Sequence, residues 1–308
     1  MTSNAQKVSF NFASHVSADT IFGKSAEKFK EIVEEKSNGD IQVNLFYGGA
    51  MGGERALIES LLTNTIEAIF IGGGFEAYFA QKYYIELPYL IKNVDHLKKV
   101  WDGKPGQIIN EGIEKEYSVK PLGYVLRGPR CLTSNKMVET AEDVKGLKLR
   151  LPEVDTWMKV WSTLGAKPTP IPGTEIYQSL QLNVADAQEN PLQIIYRYKF
   201  YEVQKYLILT NHLYSVYRIF ASASWFNSLK PEYQKIIEEA MQESTNWANE
   251  EILKDEDNTL DELKKLGIIV IDPDIESFRE KLKDVVQEIA NTRLAPGLLE
   301  EIIKVGAE

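Results

Sequence analysis

The 308-residue sequence has a single cysteine, Cys131, so no intrachain disulfide can form. No run of about 18 apolar residues occurs, so the sequence predicts no transmembrane helix. Basic residues are in the minority, with 35 Lys and Arg against 45 Asp and Glu and a net charge of -10. A nucleic-acid partner is therefore not expected, because binding phosphates requires a basic surface. An anionic ligand would have to be held by local arginines rather than by the overall field.

The common catalytic and cofactor motifs are also missing. The three histidines, His15, His96 and His212, are far apart and lack the spacing of a metal site. No phosphate-binding loop, dinucleotide-binding glycine motif or nucleophile elbow occurs. We therefore expect no cofactor, no metal ion and no enzymatic activity.

Cys131 is the one residue of the chain with the chemistry of a strong nucleophile. Arg127 and Arg130 lie beside it and would favour the thiolate form. No general base is placed near it by the sequence, so a small, half-buried structural residue is the favoured interpretation.

The first half of the chain alternates between strand-like and helix-like patterns, as expected for a mostly parallel sheet covered by helices. After the third strand comes Gly72–Gly74, which either forms a plain turn or lets the backbone approach a ligand. The pattern predicts strands at Val8–Phe12, Ile41–Tyr47 and Ile66–Ile71, and helices from Ile21 and over Glu54–Leu62.

The second half predicts a change of lobe and one very long helix. Residues 127–136 interrupt the strand pattern that ends at Leu126, so we interpret them as a crossing between lobes. A helix is predicted to hold Tyr177, Leu180 and Leu182, and strands are predicted at Tyr206–Leu209 and Tyr214–Ser222. Residues 232–266 contain no Gly or Pro and predict a helix of about 50 Å, which is expected to kink or to bridge both lobes.

Two residues in Leu147–Pro191 could bind a ligand. Arg150 ends a strand-like run, where its planar guanidinium could bind a carboxylate, although a surface ion pair is an equal alternative. Asn190 precedes Pro191, where asparagine forms turns as often as it contacts ligands.

Several sequence blocks resemble the extracytoplasmic solute-binding proteins of tripartite ATP-independent periplasmic (TRAP) transporters, in the dicarboxylate- and sialate-binding group. The resemblance covers nearly the whole chain. The blocks are Glu35–Gly39, Gly52–Arg55, Leu147–Glu153, Leu164–Pro170, Glu175–Gln181, Asp186–Pro191, Phe200–Tyr206, Thr210–His212 and Leu266–Asp272.

The resemblance implies an α/β, type II periplasmic-binding-protein-like fold with two lobes, a hinge and a long bridging helix. The first lobe would comprise residues 1–127 with 216–255, and the second 128–215 with 256–308. Such a protein captures a small organic acid by ligand-induced closure and delivers it to TRAP membrane subunits. We expect a monomer outside the cytoplasm. The N-terminus itself shows no signal peptide, which fits either a cytoplasmic protein or the mature part of an exported one.

The same resemblance implies the site residues. Arg150 corresponds to the arginine that pairs with the ligand carboxylate, Arg130 to a second basic contact and Asn190 to the polar contact opposite. His15, in the first loop, and Glu54, near the mouth, are further expected contacts.

Three more residues are expected to shape the pocket. The family often has an aromatic ring in the turn after Thr169-Pro170, whereas this chain has Gly173 there, which leaves room for a larger ligand. Trp157 could form a flat pocket wall or lie in the core. Glu153 could accept hydrogen bonds from ligand hydroxyls or could begin a helix, where an acid suits the dipole.

The leading prediction is therefore a binding protein for a sugar acid, another monocarboxylate or a keto acid, with its hinge near Arg127 and Tyr214. One alternative is a ligand-sensing module bound to a receptor. The other is an α/β enzyme acting on a carboxylate, with Cys131 or His15 as its reactive group.

Overall fold

The computed structural model describes the backbone of residues 7–307 and the side chains of all of these except residues 255–257. It is an α/β structure. The strands are β1 (Val8–Ser14), β2 (Ile41–Phe46), β3 (Ala68–Ile71), β4 (Val119–Ser134), β5 (Lys148–Leu151), β6 (Lys167–Pro170), β7 (Ala187–Pro191), β8 (Tyr206–Ser222) and β9 (Ile269–Ile271). The helices are α1 (Ile21–Lys36), α2 (Glu54–Leu62), α3 (Gly74–Tyr78), α4 (Val94–Asp102), α5 (Lys104–Tyr117), α6 (Asp155–Thr163), α7 (Ile176–Gln181), α8 (Leu192–Arg197), α9 (Ala223–Ser228), α10 (Pro231–Lys265), α11 (Ile275–Arg293) and α12 (Leu298–Val305).

The chain forms two compact units. The first unit runs from the N-terminal end of the described chain to Phe75 and includes Ile108–Leu126 and Val216–Ile252. The second comprises Glu76–Gln107, Arg127–Ser215 and the chain from Leu253 to the C-terminal end of the described residues.

This division differs from the sequence-based boundaries chiefly at residues 76–107, which lie in the second unit, as do residues 127 and 253–255. Tyr84 and Leu87 are buried there in the same apolar cluster as Trp157. The Trp157 indole Nε1–H also donates a hydrogen bond to the backbone carbonyl of Glu86, at 3.0 Å. Long-range packing of this kind leaves no mark on local sequence patterns.

In the first unit, β1 pairs in parallel with both β2 and β3, and β3 pairs antiparallel with the last part of β8. Helix α1 follows β1 and buries Phe22 and Phe29 on one stripe. The Thr20 hydroxyl caps its start by accepting from the N–H of Gly23 at 3.1 Å. Gly39, with a φ of 76°, turns the chain after its end.

In the second unit, β7 pairs antiparallel with β4 and in parallel with β5, which pairs in parallel with β6. Strand β9 pairs in parallel with the first part of β8. The C-terminal ends of β5, β6 and β7 therefore lie along one side of the sheet, which we call the carboxyl edge. Ligands of open α/β sheets bind at such edges.

Two strands are longer than the sequence predicted. Residues 127–134 are not a break but the continuation of β4, and β8 is one strand from Tyr206 to Ser222. Pro129 comes one residue before the β4–β7 ladder, so its missing N–H removes no hydrogen bond to β7. The prediction for Leu182 was also wrong, because α7 ends at Gln181 and the Leu182 side chain is 72% exposed.

Helix α10 is the predicted long helix, with 35 residues. Its residues up to Ile252 belong to the first unit and those from Leu253 onwards to the second. None of the helices in the described part of the chain is both long and apolar enough to cross a membrane.

Candidate functional site

Three predicted site residues lie on adjacent strands of the second unit, at the carboxyl edge of its sheet. Arg130 is on β4, Asn190 on β7 and Arg150 on β5. Arg130 lies opposite Pro191, and Arg150 lies opposite Gln188. All three side chains are buried, with exposures of 2% for Arg130, 4% for Arg150 and 5% for Asn190. The fold thus gathers two guanidinium groups and one carboxamide from segments far apart in sequence.

Arg150 is oriented by the turn that follows β6. Its Nε–H donates to the backbone carbonyl of Ile171 at 2.8 Å. That turn is tied to β5 in return, because the Ile171 N–H donates to the Leu151 carbonyl at 3.0 Å. The direction of the Arg150 guanidinium therefore depends on the same turn that contains Gly173.

Arg130 is paired within the protein, which the sequence did not predict. Its Nε and Nη2 donate to the two carboxylate oxygens of Glu189, with 2.8 Å between Nη2 and Oε1. Nη2 also donates to the Glu189 carbonyl at 2.7 Å and to Asn190 Oδ1 at 3.2 Å. The guanidinium carbon lies 4.8 Å from the ring centroid of Trp157. Within residues 7–307, none of the hydrogen bonds of Arg130 uses Nη1.

Both members of the Arg130–Glu189 pair are charged. Burial by itself raises the pKa of the Glu189 carboxyl, but the charge and hydrogen bonds of Arg130, together with those of His212, lower this pKa to about 2. Burial lowers the pKa of the Arg130 guanidinium, but Glu189 outweighs this effect and holds it above its ordinary value. The pair is a buried ion pair with two-point geometry.

His212 completes this group from β8. Its Nε2 lies 3.2 Å from Glu189 Oε2, and its Nδ1 lies 2.8 Å from the hydroxyl of Thr210. Burial lowers the pKa of the His212 imidazole, so the ring is neutral at pH 7. An ionised carboxylate can only accept, so Nε2 carries the proton and Nδ1 accepts from the Thr210 hydroxyl.

Glu189 and His212 are the site residues that sequence reasoning missed. Both stand within the recognised blocks: Glu189 directly precedes Asn190, and His212 is two residues after Thr210. The available signal was the charge of Glu189 in an otherwise uncharged strand, since a buried carboxylate needs a partner. The identity of that partner depends on pairing between β4 and β7, which local sequence does not show.

The other predicted residues of the second unit differ in burial. Trp157 lies in the apolar core and contacts Arg130 through its ring, so the core alternative describes its packing. Glu153 is exposed between β5 and α6. Gly173 is also exposed, and a methyl group added to it would meet no atom within 4 Å.

His15 and Glu54 belong to the first unit, at the ends of its parallel strands. Glu54 begins α2, and its Oε1 accepts from the N–H of Gly74 at 3.3 Å, which connects the loops after β2 and β3. The His15 ring lies 6.2 Å from that of Tyr217, measured between centroids. The N–H of Gly49 donates to the Ser14 carbonyl at 3.2 Å and joins the loops after β1 and β2.

Cys131 is fully buried, and its Sγ lies 3.2 Å from Oδ1 of Asn211. Among the described residues, no group of three or more His, Cys, Asp or Glu side chains is placed to hold a metal ion. The chemistry at the carboxyl edge is therefore that of guanidinium and carboxamide donors, which suit a carboxylate.

Residues 12–293 match the model of a protein family described as bacterial extracellular solute-binding protein, family 7. The chain belongs to this family. It is 30% identical to the 2,3-diketo-L-gulonate-binding periplasmic protein YiaO of Escherichia coli, over 86% of this chain and 81% of the relative. It is 31% identical to the sialic acid-binding periplasmic protein SiaP of Vibrio cholerae, over 86% of this chain and 83% of the relative.

A solved structure from Polaromonas shows the same fold. This TRAP periplasmic solute-binding protein, bound to D-erythronate, superposes with a TM-score of 0.91 and 29% identity, over 98% of this chain and 99% of the other. The predicted family and the type II fold class are thereby confirmed. Members of the family 7 solute-binding proteins bind organic acids and work with TRAP membrane subunits, and these homologues are binding proteins rather than enzymes.

Proposed function

We propose that this protein captures a sugar acid, or a related monocarboxylate or keto acid, outside the cytoplasm and delivers it to TRAP membrane subunits. The observation that supports this most directly is the pair of buried guanidinium groups, Arg130 and Arg150, on strands flanking Asn190 at the carboxyl edge. The relatives bind diketogulonate, sialic acid and D-erythronate, which are all hydroxylated carboxylic acids.

In this proposal, Arg150 is the anchor of the ligand carboxylate. Its Nε is held by the Ile171 carbonyl, so the guanidinium is oriented before the ligand arrives. Arg130 serves as a second donor through Nη1, because Glu189 and Asn190 already occupy its other donors. Fixed donors favour binding because less conformational freedom is lost when the ligand is bound.

The remaining predicted residues contribute selectivity in this proposal. Glu153 is exposed beside β5 and can accept hydrogen bonds from ligand hydroxyls, and the space around Gly173 accommodates a long polyol chain. Trp157 acts from the core by supporting the Arg130 guanidinium. His15 and Glu54 are the proposed contributions of the first unit, and the protein works as a monomer.

Capture is completed by closure about a hinge near Arg127 and Tyr214. Small-angle X-ray scattering tests closure, since the radius of gyration of the protein should fall when an acid that it binds is added. Reconstitution with TRAP membrane subunits in liposomes tests delivery. Uptake that does not depend on this protein would favour the sensing alternative.

Isothermal titration calorimetry with sugar acids, keto acids and dicarboxylates tests the ligand class. We expect micromolar or tighter binding of at least one hydroxylated monocarboxylate by the wild type. Arg150→Ala should weaken that binding about 30-fold or more, because a charge-assisted contact to a buried carboxylate is lost. Arg150→Lys should be intermediate, since lysine keeps the charge but not the planar fork.

A matched control is Arg279→Ala. Arg279 is an arginine of the same unit, but it is exposed and paired with Glu276 at 2.7 Å. Its removal should leave affinity unchanged. Full affinity in Arg150→Ala would contradict the assignment of the anchor.

A further inference from the structure

A continuous line of buried polar side chains leads away from Arg130 along β4 and β7. Arg130 Nη2 donates to Asn190 Oδ1 at 3.2 Å, and Asn190 Nδ2 donates to Gln188 Oε1 at 2.6 Å. Gln188 Nε2 donates to the Thr133 hydroxyl at 2.9 Å, and this hydroxyl donates to Gln204 Oε1 at 3.0 Å. All five side chains are buried.

The strand register explains the line. Thr133 on β4 lies directly opposite Gln188 on β7. Gln188 and Asn190 are two residues apart on β7, so their side chains share one face of the sheet. Gln188 is also opposite Arg150 on β5, which places it between the two strands that carry the arginines.

The two ends of the line determine the direction of every hydrogen bond in it. At one end, a guanidinium can only donate. At the other end, Gln204 Nε2 donates to the backbone carbonyls of Val203, at 3.1 Å, and Asp186, at 3.4 Å, which can only accept. Therefore only one orientation of each amide between these ends avoids placing a donor against a donor or an acceptor against an acceptor. For the same reason, the hydroxyl proton of Thr133 points to Gln204.

We propose that Thr133, Gln188 and Gln204 are positioning residues for the carboxylate site. They hold Asn190 with its oxygen towards Arg130, so that its second Nδ2–H is kept for the ligand carboxylate. Within residues 7–307, the side chain of Asn190 makes only the two hydrogen bonds of this line. This inference rests on the proposed function, because it assumes that an organic acid binds at Arg130, Arg150 and Asn190.

The physical reason is that an asparagine amide can flip by 180° at little intrinsic cost. In the flipped state, Nδ2 would face the guanidinium, donor against donor, and Oδ1 would face the ligand carboxylate, acceptor against acceptor. The line of hydrogen bonds disfavours this state before the ligand arrives. Breaking the line should therefore weaken binding about 10-fold, the effect of losing one net hydrogen bond between Asn190 and the ligand carboxylate.

The test compares Thr133→Val with Thr133→Ser. Valine matches threonine in shape but removes the hydroxyl, which breaks two links, whereas serine keeps it. The probes are D-erythronate, 2,3-diketo-L-gulonate and N-acetylneuraminate, and the variants are titrated with the acid that the wild type binds most tightly. We expect about 10-fold weaker binding in Thr133→Val and restored binding in Thr133→Ser.

A second variant, Gln204→Met, removes the far anchor and gives an independent result should Thr133→Val fail to fold. Its matched control is Gln234→Met in the first unit. Gln234 also donates its Nε2 to two backbone carbonyls, those of Phe226 at 3.0 Å and Leu229 at 3.2 Å. The melting temperature without ligand should fall similarly in both variants, but only Gln204→Met should lose affinity for the acid.

Unchanged affinity in folded Thr133→Val and Gln204→Met would overturn the inference, as would binding in Thr133→Ser as weak as in Thr133→Val. In both cases Arg150→Ala would still lose binding, so the proposed function would stand. A wild type that binds none of the three acids would instead overturn the proposed function for this ligand class, and the inference with it.

Discussion

Replacing Glu189 by glutamine should destabilise the second unit strongly without creating a cavity. Glu189 has no exposed surface, and both of its carboxylate oxygens accept from Arg130. Glutamine has nearly the same shape, so the change removes a charge and introduces an Nε2–H₂ donor among groups that are already donors. The Arg130 charge would then remain buried without compensation.

The expected cost follows from this geometry. Breaking a buried ion pair by removing one partner costs about 3–5 kcal/mol, because the other charge stays desolvated. Domains are commonly stable by about 5–15 kcal/mol, so about a fifth or more of the stability of this unit would be lost.

The assay is urea unfolding followed by circular dichroism and by tryptophan fluorescence, with the two units fitted as separate transitions where the probes disagree. The matched control is Glu288→Gln, which removes the same charge from the Lys159–Glu288 pair at 2.9 Å. These side chains are 42% and 59% exposed, so this change should cost less than about 1 kcal/mol. A Glu189→Gln variant no less stable than Glu288→Gln would refute the account of the buried pair.

Three further predictions concern other positions. Because burial lowers the pKa of His212, this histidine takes up a proton more readily in the unfolded chain, and the free energy of unfolding should fall as the pH drops below about 6.5. In urea unfolding at pH 5 to 7, His212→Gln should reduce the dependence of that free energy on pH, and an unaltered dependence would exclude His212 as its source. Gly23→Ala should lower the melting temperature, at a cost of about 1–3 kcal/mol, because the new methyl would lie 2.5 Å from a backbone oxygen of the preceding loop. Gly173→Ala should have little effect, since its methyl would meet no atom within 4 Å, and equal melting temperatures in the two variants would contradict this prediction. Trp157→Phe should cost about 1–3 kcal/mol in chemical unfolding, because it removes the indole N–H that donates to the carbonyl of residue 86 and part of a buried ring; an unchanged free energy of unfolding would contradict this.

The elements that sequence predicted best are those whose pattern is complete within one segment. Helix α2 begins at Glu54 and ends at Leu62 as predicted, and α10 lies within one residue of its predicted limits. A helix closes its hydrogen bonds within the segment, so spacing and end residues suffice to locate it.

The long strands were predicted less well because their partners are elsewhere in the chain. Local pattern suggested that β4 ended at Leu126, although pairing with β7 extends it to Ser134. The same dependence explains the grouping of residues 76–107, whose Leu87 is buried in the core of the second unit.

The sequence by itself determined the α/β class, the limits of α2 and α10, the family, and Arg130, Arg150 and Asn190 as candidates for binding a carboxylate. Only the tertiary structure decided that Arg130 is paired with Glu189, that Glu189 also contacts His212, and that Gln188, Thr133 and Gln204 continue from Asn190. These contacts join residues up to 71 positions apart, as between Thr133 and Gln204. Sequence periodicity reports which face of its own element a residue occupies, but strand order and register decide which distant side chain it meets there.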